Sequence, residues 1–337
     1  PKNHNVFSGL KNIITKLVSF LKNNKSPNYS FVYDQTVSYG ELISTFIINS
    51  YFIEEKLKTN FIDARNCIKT DSNYREGNII WDITKENIRN NVKINQLNLT
   101  QGFIASDKNN FNVTLGREGS DYSAAIFAFA VNAESLTIWK DVKGLLNGDP
   151  KYFKNTELIK TISYSEAIEL AFYGASVIHP KTLQPLQKKE IPLYVKSFEK
   201  PDQNGTEINK NLKLSPKVPC YIFKNKMIFI KIFSLDFSFA IDENLSHIFK
   251  KIDECKMKVD VIQNSAISFS ICLNDKYDQI DNLLKNLQEK FKIEVFKNTS
   301  LYTIRHFDEK SIEVVSKGKK LLLEQRTEKT VKLIFST

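Results

Sequence analysis

The residues best placed to do chemistry lie in one run, Thr114-Leu-Gly-Arg-Glu-Gly-Ser-Asp121. Its apolar start reads as the end of a strand and its glycines as a turn. Ser120 then caps an apolar helix from Asp121 to about Asn132. Such a junction gathers free backbone N–H groups at the positive end of a helix, which suits an anion. Arg117 adds a planar fork for a carboxylate, and Asp121 an acceptor for an ammonium group. A positive and a negative group at this spacing suit a zwitterionic amino acid. A salt-bridged helix cap would use the same residues, and spacing alone leaves both readings open.

Other stretches say less by themselves. Ser38-Tyr-Gly-Glu41 reads as a helix opening with an acid, which helix-dipole stabilisation already explains. Trp139-Lys-Asp141-Val-Lys-Gly144 ends a strand and leads to Gly148-Asp-Pro-Lys151. Loops at the carboxyl ends of strands hold ligands in open α/β sheets, although Gly, Asp, Asn and Pro also make ordinary surface turns. His179-Pro180 has no nucleophile or carboxylate beside it and reads as structural.

The elements that must position these groups sharpen after residue 100. Helical spacing marks Ile13 to Leu21, Glu41 to Leu57 and a start at Trp81. Gly102-Phe-Ile-Ala and Phe111 to Leu115 read as strands, Ser135 to Lys140 as another. Ser163-x-x-Glu166 is a capping box for a helix closed by Gly174, Pro180 begins a short helix, and Ile191 to Phe198 is a strand. This alternation predicts a layered α/β domain. Pro201 to Pro219 is polar and proline-bearing, as linkers are. Beyond it come a strand from Met227 to Phe233 and a helix capped by Asp242 with Leu245, Ile248, Phe249 and Ile252 on one face. Strands at Lys258 to Gln263 and Ala266 to Leu273 follow, then a helix through Ile280, Leu283, Leu284 and Leu287 and a strand from Lys292 to Phe296. That order is the ferredoxin-like βαββαβ unit. Leu301 to Arg305, Lys319 to Glu324 and Thr330 to Phe335 add strands with one short helix between them, a second and degenerate unit.

Composition bounds the function. The 337 residues are 42% hydrophobic and 26% charged, ordinary for a globular protein of two or three domains, and no apolar run spans a membrane. The net charge of +10 is scattered over helices and loops, unlike a nucleic-acid-binding patch. The four cysteines form no C-x-x-C pair and the four histidines no ligand pattern, so reduced thiols and a cytoplasmic location are expected.

Together the stretches become specific. Gly102-Phe-Ile-Ala-Ser106, Thr114 to Ser123, Ile138-Trp-Lys-Asp-Val-Lys-Gly144, Gly148-Asp-Pro150 and Tyr173-Gly-Ala-Ser-Val-Ile-His-Pro180 resemble the aspartokinases in order. Ser38-Tyr-Gly-Glu41 and Asp63-Ala-Arg65 join them, and Val259-Asp-Val-Ile-Gln-Asn-Ser265 resembles the effector segment of their ACT regulatory tail. The resemblance implies an amino-acid-kinase fold, a mainly parallel sheet flanked by helices, over residues 1–208. A linker and first strand would cover 209–225, an ACT unit 226–298 and a degenerate second one 299–337. It implies ATP-dependent phosphorylation, with Mg²⁺, of the side-chain carboxylate of L-aspartate, the first step toward lysine, threonine and methionine. The attacking carboxylate is already ionised, so catalysis rests on positioning and charge neutralisation.

By position in those motifs, Arg117 would bind the substrate α-carboxylate, with Ser120, Asp121 and Glu41 near the amino group. Lys140, Asp141, Asp149, Pro150, Lys151 and Ser176 would line the nucleotide site. Asp260, Gln263 and Asn264 would hold lysine or threonine as effector, in a homodimer formed through the ACT units. Three positions depart from the pattern: Glu118 stands for the usual Gly, Ser176 for a frequent Lys, and Lys140 for a Thr, so that Lys140 could replace the charge missing at Ser176. The family opens on a strand ending Lys-Phe-Gly-Gly, absent from these residues; the expectation is that it lies upstream of Pro1. The alternative is a non-catalytic amino-acid sensor derived from an aspartokinase.

Overall fold

The computed structural model describes residues 5–175, 177–234 and 241–336. They form two compact units, one of residues 1–144, 161–168 and 176–213, the other of 145–160, 169–175 and 214–337.

In chain order the first unit starts with α1 (Asn5–Asn23) and α2 (Tyr29–Glu54), then β1 (Thr59–Ile62), α3 (Ala64–Cys67), α4 (Trp81–Asn91) and β2 (Leu97–Thr100). β3 (Ile104–Ser106), β4 (Asn112–Thr114), α5 (Gly119–Val131), β5 (Leu136–Lys140) and β6 (Thr161–Ser163) follow. α6 (Tyr164–Tyr173), α7 (Pro180–Lys189), β7 (Leu193–Ser197) and β8 (Thr206–Asn209) complete the order up to residue 213. β1 runs parallel to β2, β5 to β7 and β6 to β8, whereas β3–β4 and β7–β8 are antiparallel. The parallel pairing and the helices over it agree with the predicted layered α/β unit. One core of this unit joins Ile62, Cys67, Ile68, Ile88, Ala105, Leu115, Ile126 and Ala130.

Several local expectations change. Ser38-Tyr-Gly-Glu41 does not open a helix: α2 starts at Tyr29, where Asn28 accepts the Phe31 N–H, and Glu41 lies mid-helix. Ser120 does not cap α5; Glu118 is the N-cap residue, with φ 54° and no capping bond from its side chain. Gly102 and Phe103 form a turn rather than strand, Phe103 having φ 68°. A Cβ on Gly102 would come within 2.9 Å of the Ser120 Cβ, so this turn rests directly on the first turn of α5. The stretch 201–219 is not only linker, because β8 lies within it and buries Thr206 and Ile208.

The second unit is built on one antiparallel sheet. β9 (Cys220–Ser234), α8 (Ile241–Glu254), β10 (Lys258–Asn264), β11 (Ser268–Asn274), α9 (Ile280–Gln288) and β12 (Phe291–Arg305) give the ferredoxin-like order. α10 (Glu309–Ser316), β13 (Lys320–Arg326) and β14 (Thr330–Ser336) end the chain, and the strand order is β10-β11-β9-β12-β14-β13. The helix expected behind Asp242 begins at Ile241, and residues 235–240, where its cap would lie, are outside the described residues.

β9 and β12 are each fifteen residues long and pair along two stretches interrupted by register shifts near Thr299. Lys226 and Asn298 take left-handed backbone there. The front half of β9, Cys220 to Lys224, pairs with Leu301 to Arg305. The half-sheet containing β10 and β11 packs its outer face on α8 and α9, through Ile230, Ile232, Ile248, Ile252, Leu283 and Leu287. Its inner face meets the other half-sheet through Met227, Phe229, Val261, Cys272, Leu301 and Ile334. Along β11, Phe269 and Ile271 alternate with Ser268 and Ser270. Residues 269–273 are buried on both faces, because the second half-sheet covers the polar side.

Candidate active site

The run from Thr114 to Asp121 is held from behind by α2. Asp34, fully buried, accepts the Thr114 N–H at 2.9 Å and the Arg75 N–H at 2.8 Å on Oδ2, and the Thr114 hydroxyl at 2.8 Å on Oδ1. Burial raises its pKa, and the hydrogen bonds oppose the rise. Gln35 next to it exchanges two bonds with the Asn112 backbone. Asp34→Asn keeps an acceptor for both N–H groups, and the Thr114 hydroxyl can reverse. It should therefore cost only about 1 kcal/mol in urea unfolding; a loss of several kcal/mol would show that the ionised form is needed.

Asp34, Ser38, Glu41 and Thr45 share one face of α2, at steps of three and four residues. Thr45 Oγ1 accepts from Gln101 Nε2 at 3.1 Å, just before the Gly102 turn. Glu41 thus lies between the anchor to Thr114 and the anchor beside Gly102, on the side where Gly102 meets Ser120. It is half-buried, and desolvation raises its carboxyl pKa. Asp63 and Arg65, the other early motif, form a two-bond pair at 2.9 and 2.6 Å, and Arg65 reaches Asn112 Oδ1 at 3.2 Å. That pair supports β4 from the side.

At the head of α5, Arg117 and Ser120 are exposed. Arg117 makes no ion pair or hydrogen bond among the described residues. Asp121 is nearly buried, with Lys140 Nζ at 2.7 Å from its Oδ2. The contact is a charge pairing without the alignment of a hydrogen bond. Lys140 is the last residue of β5, beside Ser197 at the end of β7, so the pair sits at the carboxyl ends of parallel strands. Glu118 completes the group. Burial first, and then the Asp121 charge, raise its pKa; Lys140, Arg117 and the His179 backbone N–H act the other way. His179 itself caps α7 through Nδ1, which accepts the Lys181 N–H at 3.2 Å.

The remaining predicted residues are placed as follows. Asp141 is exposed in the loop after β5. In the second unit, Asp149 Oδ1 accepts the Lys151 N–H at 2.9 Å and so stabilises its own turn, with Pro150 and Lys151 exposed. Ser176 lies outside the described residues. Asp260, Gln263 and Asn264 are on β10 at the edge of the sheet. Asp260 sits at a register break, its carboxylate 2.6 Å from Lys224 Nζ and its carbonyl accepting Lys332 Nζ at 3.1 Å. Gln325 Nε2 reaches Ile262 O at 2.9 Å and Gln263 Oε1 at 3.4 Å. Sequence reasoning did not find Lys224, Lys332 or Asp34, whose partners are distant in the chain.

The sequence model of the amino acid kinase family matches residues 5–197. The bifunctional aspartokinase/homoserine dehydrogenase of Buchnera aphidicola is 37% identical over 205 residues, 60% of this chain and 24% of that protein. The lysine-sensitive aspartokinase 3 of Escherichia coli is 30% identical over 244 residues, 72% of this chain and 54% of that one. The chain thus spans about half or less of the length of these relatives. Among solved structures, E. coli aspartokinase III in complex with aspartate and ADP matches with a TM-score of 0.81 at 23% identity, over 98% of this chain and 78% of that one. The aspartate kinase of Clostridium acetobutylicum matches with a TM-score of 0.80 at 23% identity, over 97% and 76%. These likenesses establish the fold, an amino-acid-kinase unit with an ACT-like sheet. With the matched segment covering more than half of its residues, the chain belongs to the amino acid kinase family.

Proposed function

We propose that this chain is the kinase and regulatory part of an aspartokinase, transferring the γ-phosphoryl group of ATP to the side-chain carboxylate of L-aspartate. The observation that carries the reading is the head of α5. An unpaired guanidinium there adjoins carboxylates at the ends of parallel strands, an arrangement complementary to an amino acid. Arg117 binds the α-carboxylate; Ser120, Asp121 and Glu41 form the polar and acidic surroundings of the amino group. By their places in the motifs, Lys140, Asp141, Asp149, Pro150, Lys151 and Ser176 are the nucleotide contacts. Mg²⁺ would be delivered on the nucleotide phosphates. The ion would neutralise charge on the transferring group.

The domains divide as kinase unit 1–208, connection 209–225 and ACT units 226–298 and 299–337. Asp260, Gln263 and Asn264 take lysine or threonine, and the open edge of β10 offers the surface for a homodimer. With MgATP and hydroxylamine, aspartate should yield a trappable hydroxamate. Product from glutamate but not from aspartate would overturn the substrate; no product from either would favour the non-catalytic sensor.

A further inference from the structure

Position 118 has three features that folding alone does not call for. Its backbone lies at φ 54°, in the left-handed region where a residue with a Cβ is strained. Its side chain makes no capping bond to the helix it precedes. Its Oε2 is buried and has no hydrogen-bond partner among the described residues. Strain and an orphaned carboxylate oxygen together weaken the fold, and residues of this kind persist where a ligand completes them.

Asp121, the neighbouring acid, is already answered by Lys140 at 2.7 Å. That ammonium ends a strand whose register is fixed by β7, so it is held in place by the sheet. Of the four charged groups at the head of α5, Lys140 and Asp121 are thus in direct contact, although the Lys140 charge also acts on Glu118. The two that remain, Arg117 and Glu118, are adjacent in the chain. Among the described residues the exposed Arg117 makes no ion pair or hydrogen bond, and the buried Glu118 Oε2 has no partner while the His179 N–H bonds the carboxyl group. A fork for a carboxylate beside an acceptor for an ammonium matches the two ends of an α-amino acid.

We propose that Glu118 is the group that accepts the substrate's ammonium, while Lys140 holds Asp121 as its fixed counter-ion. This rests on the amino-acid substrate of the proposed function. It assigns Glu118 as a specificity-determining residue, beside Asp121 and its ion pair with Lys140. Oε2 gains the donor it lacks, and the strained backbone at 118 is what places it there.

The test is calorimetric binding of L-aspartate and of succinate, which has both carboxylates and no ammonium. The 337-residue chain should prefer aspartate by on the order of tenfold or more, the scale of a hydrogen bond to a charged group. In Glu118→Gln the preference should fall to about one, even if both ligands bind less well. Glu118→Gly supplies the residue that left-handed backbone favours and removes a buried charge. It should melt at or above the parent temperature and still lose the preference, a combination no purely structural role gives. A Glu118→Gln chain that still discriminates, or a Glu118→Gly chain that melts lower, would each overturn the assignment. A parent chain that fails to distinguish aspartate from succinate would instead remove the amino-acid reading beneath it.

Discussion

Arg117→Lys is expected to lower kcat/KM for aspartate by roughly 30- to 1000-fold, about 2–4 kcal/mol of transition-state stabilisation. The guanidinium presents two parallel donors to a carboxylate, and an ammonium on a flexible stem cannot reproduce that fork. The same substitution should leave stability within about 0.5 kcal/mol of the parent, because Arg117 is exposed and makes no ion pair or hydrogen bond among the described residues. Steady-state kinetics beside urea unfolding separate the two effects. Unchanged aspartate turnover would move the substrate carboxylate elsewhere, and a large loss of stability would make Arg117 structural. The structure sharpens this expectation, since an arginine committed to an internal salt bridge would have predicted the opposite pattern.

The legible parts of the sequence were those whose burial is apolar. α8 and α9 show their inward faces as Ile248, Ile252, Leu283 and Leu287 at helical spacing, and these pack on Ile230 and Ile232. α2 was misread for the converse reason. Its buried residues are Asp34, Gln35, Ser38 and Thr45, so the face it turns inward is polar and no hydrophobic period announces it. β8 is four residues long inside a polar, proline-bearing stretch, too short for its alternation to stand out. At the head of α5, residue types pointed to a zwitterion, but the capping rule chose Ser120 because a glutamate at φ 54° is a conformation that propensity rules disfavour. The pairing of Asp121 with Lys140 depends on β5 ending where α5 begins, which is tertiary information.

The same holds in the tail, where the sequence offered Asp260 as an acceptor for a cationic effector and the structure supplies a cation from the chain itself. Lys224 Nζ lies 2.6 Å from the Asp260 carboxylate, with side-chain exposures of 23% and 10%, and Lys332 donates to the Asp260 carbonyl. Burial lowers the pKa of Lys332; the Asp260 charge opposes that shift and the Lys224 charge adds to it. Asp260→Ala removes the ion-pair partner of Lys224, while Lys332 keeps its bond to the backbone carbonyl at position 260. It should cost about 2–3 kcal/mol in urea unfolding, below the cost of breaking a fully buried pair because Lys224 is partly solvated. It should also abolish binding of lysine or threonine. An effector that uses the Asp260 carboxylate must take the place of Lys224, so Lys224→Met should act in the other direction. It vacates the acceptor, leaves Lys332 as partial counter-charge, and should tighten effector binding by about tenfold, or about 1.4 kcal/mol. Calorimetry with both amino acids on the parent and the two variants decides the matter. If Lys224→Met binds no more tightly than the parent, or Asp260→Ala binds as well, then Asp260 is a structural ion-pair partner and the effector is held elsewhere on the sheet.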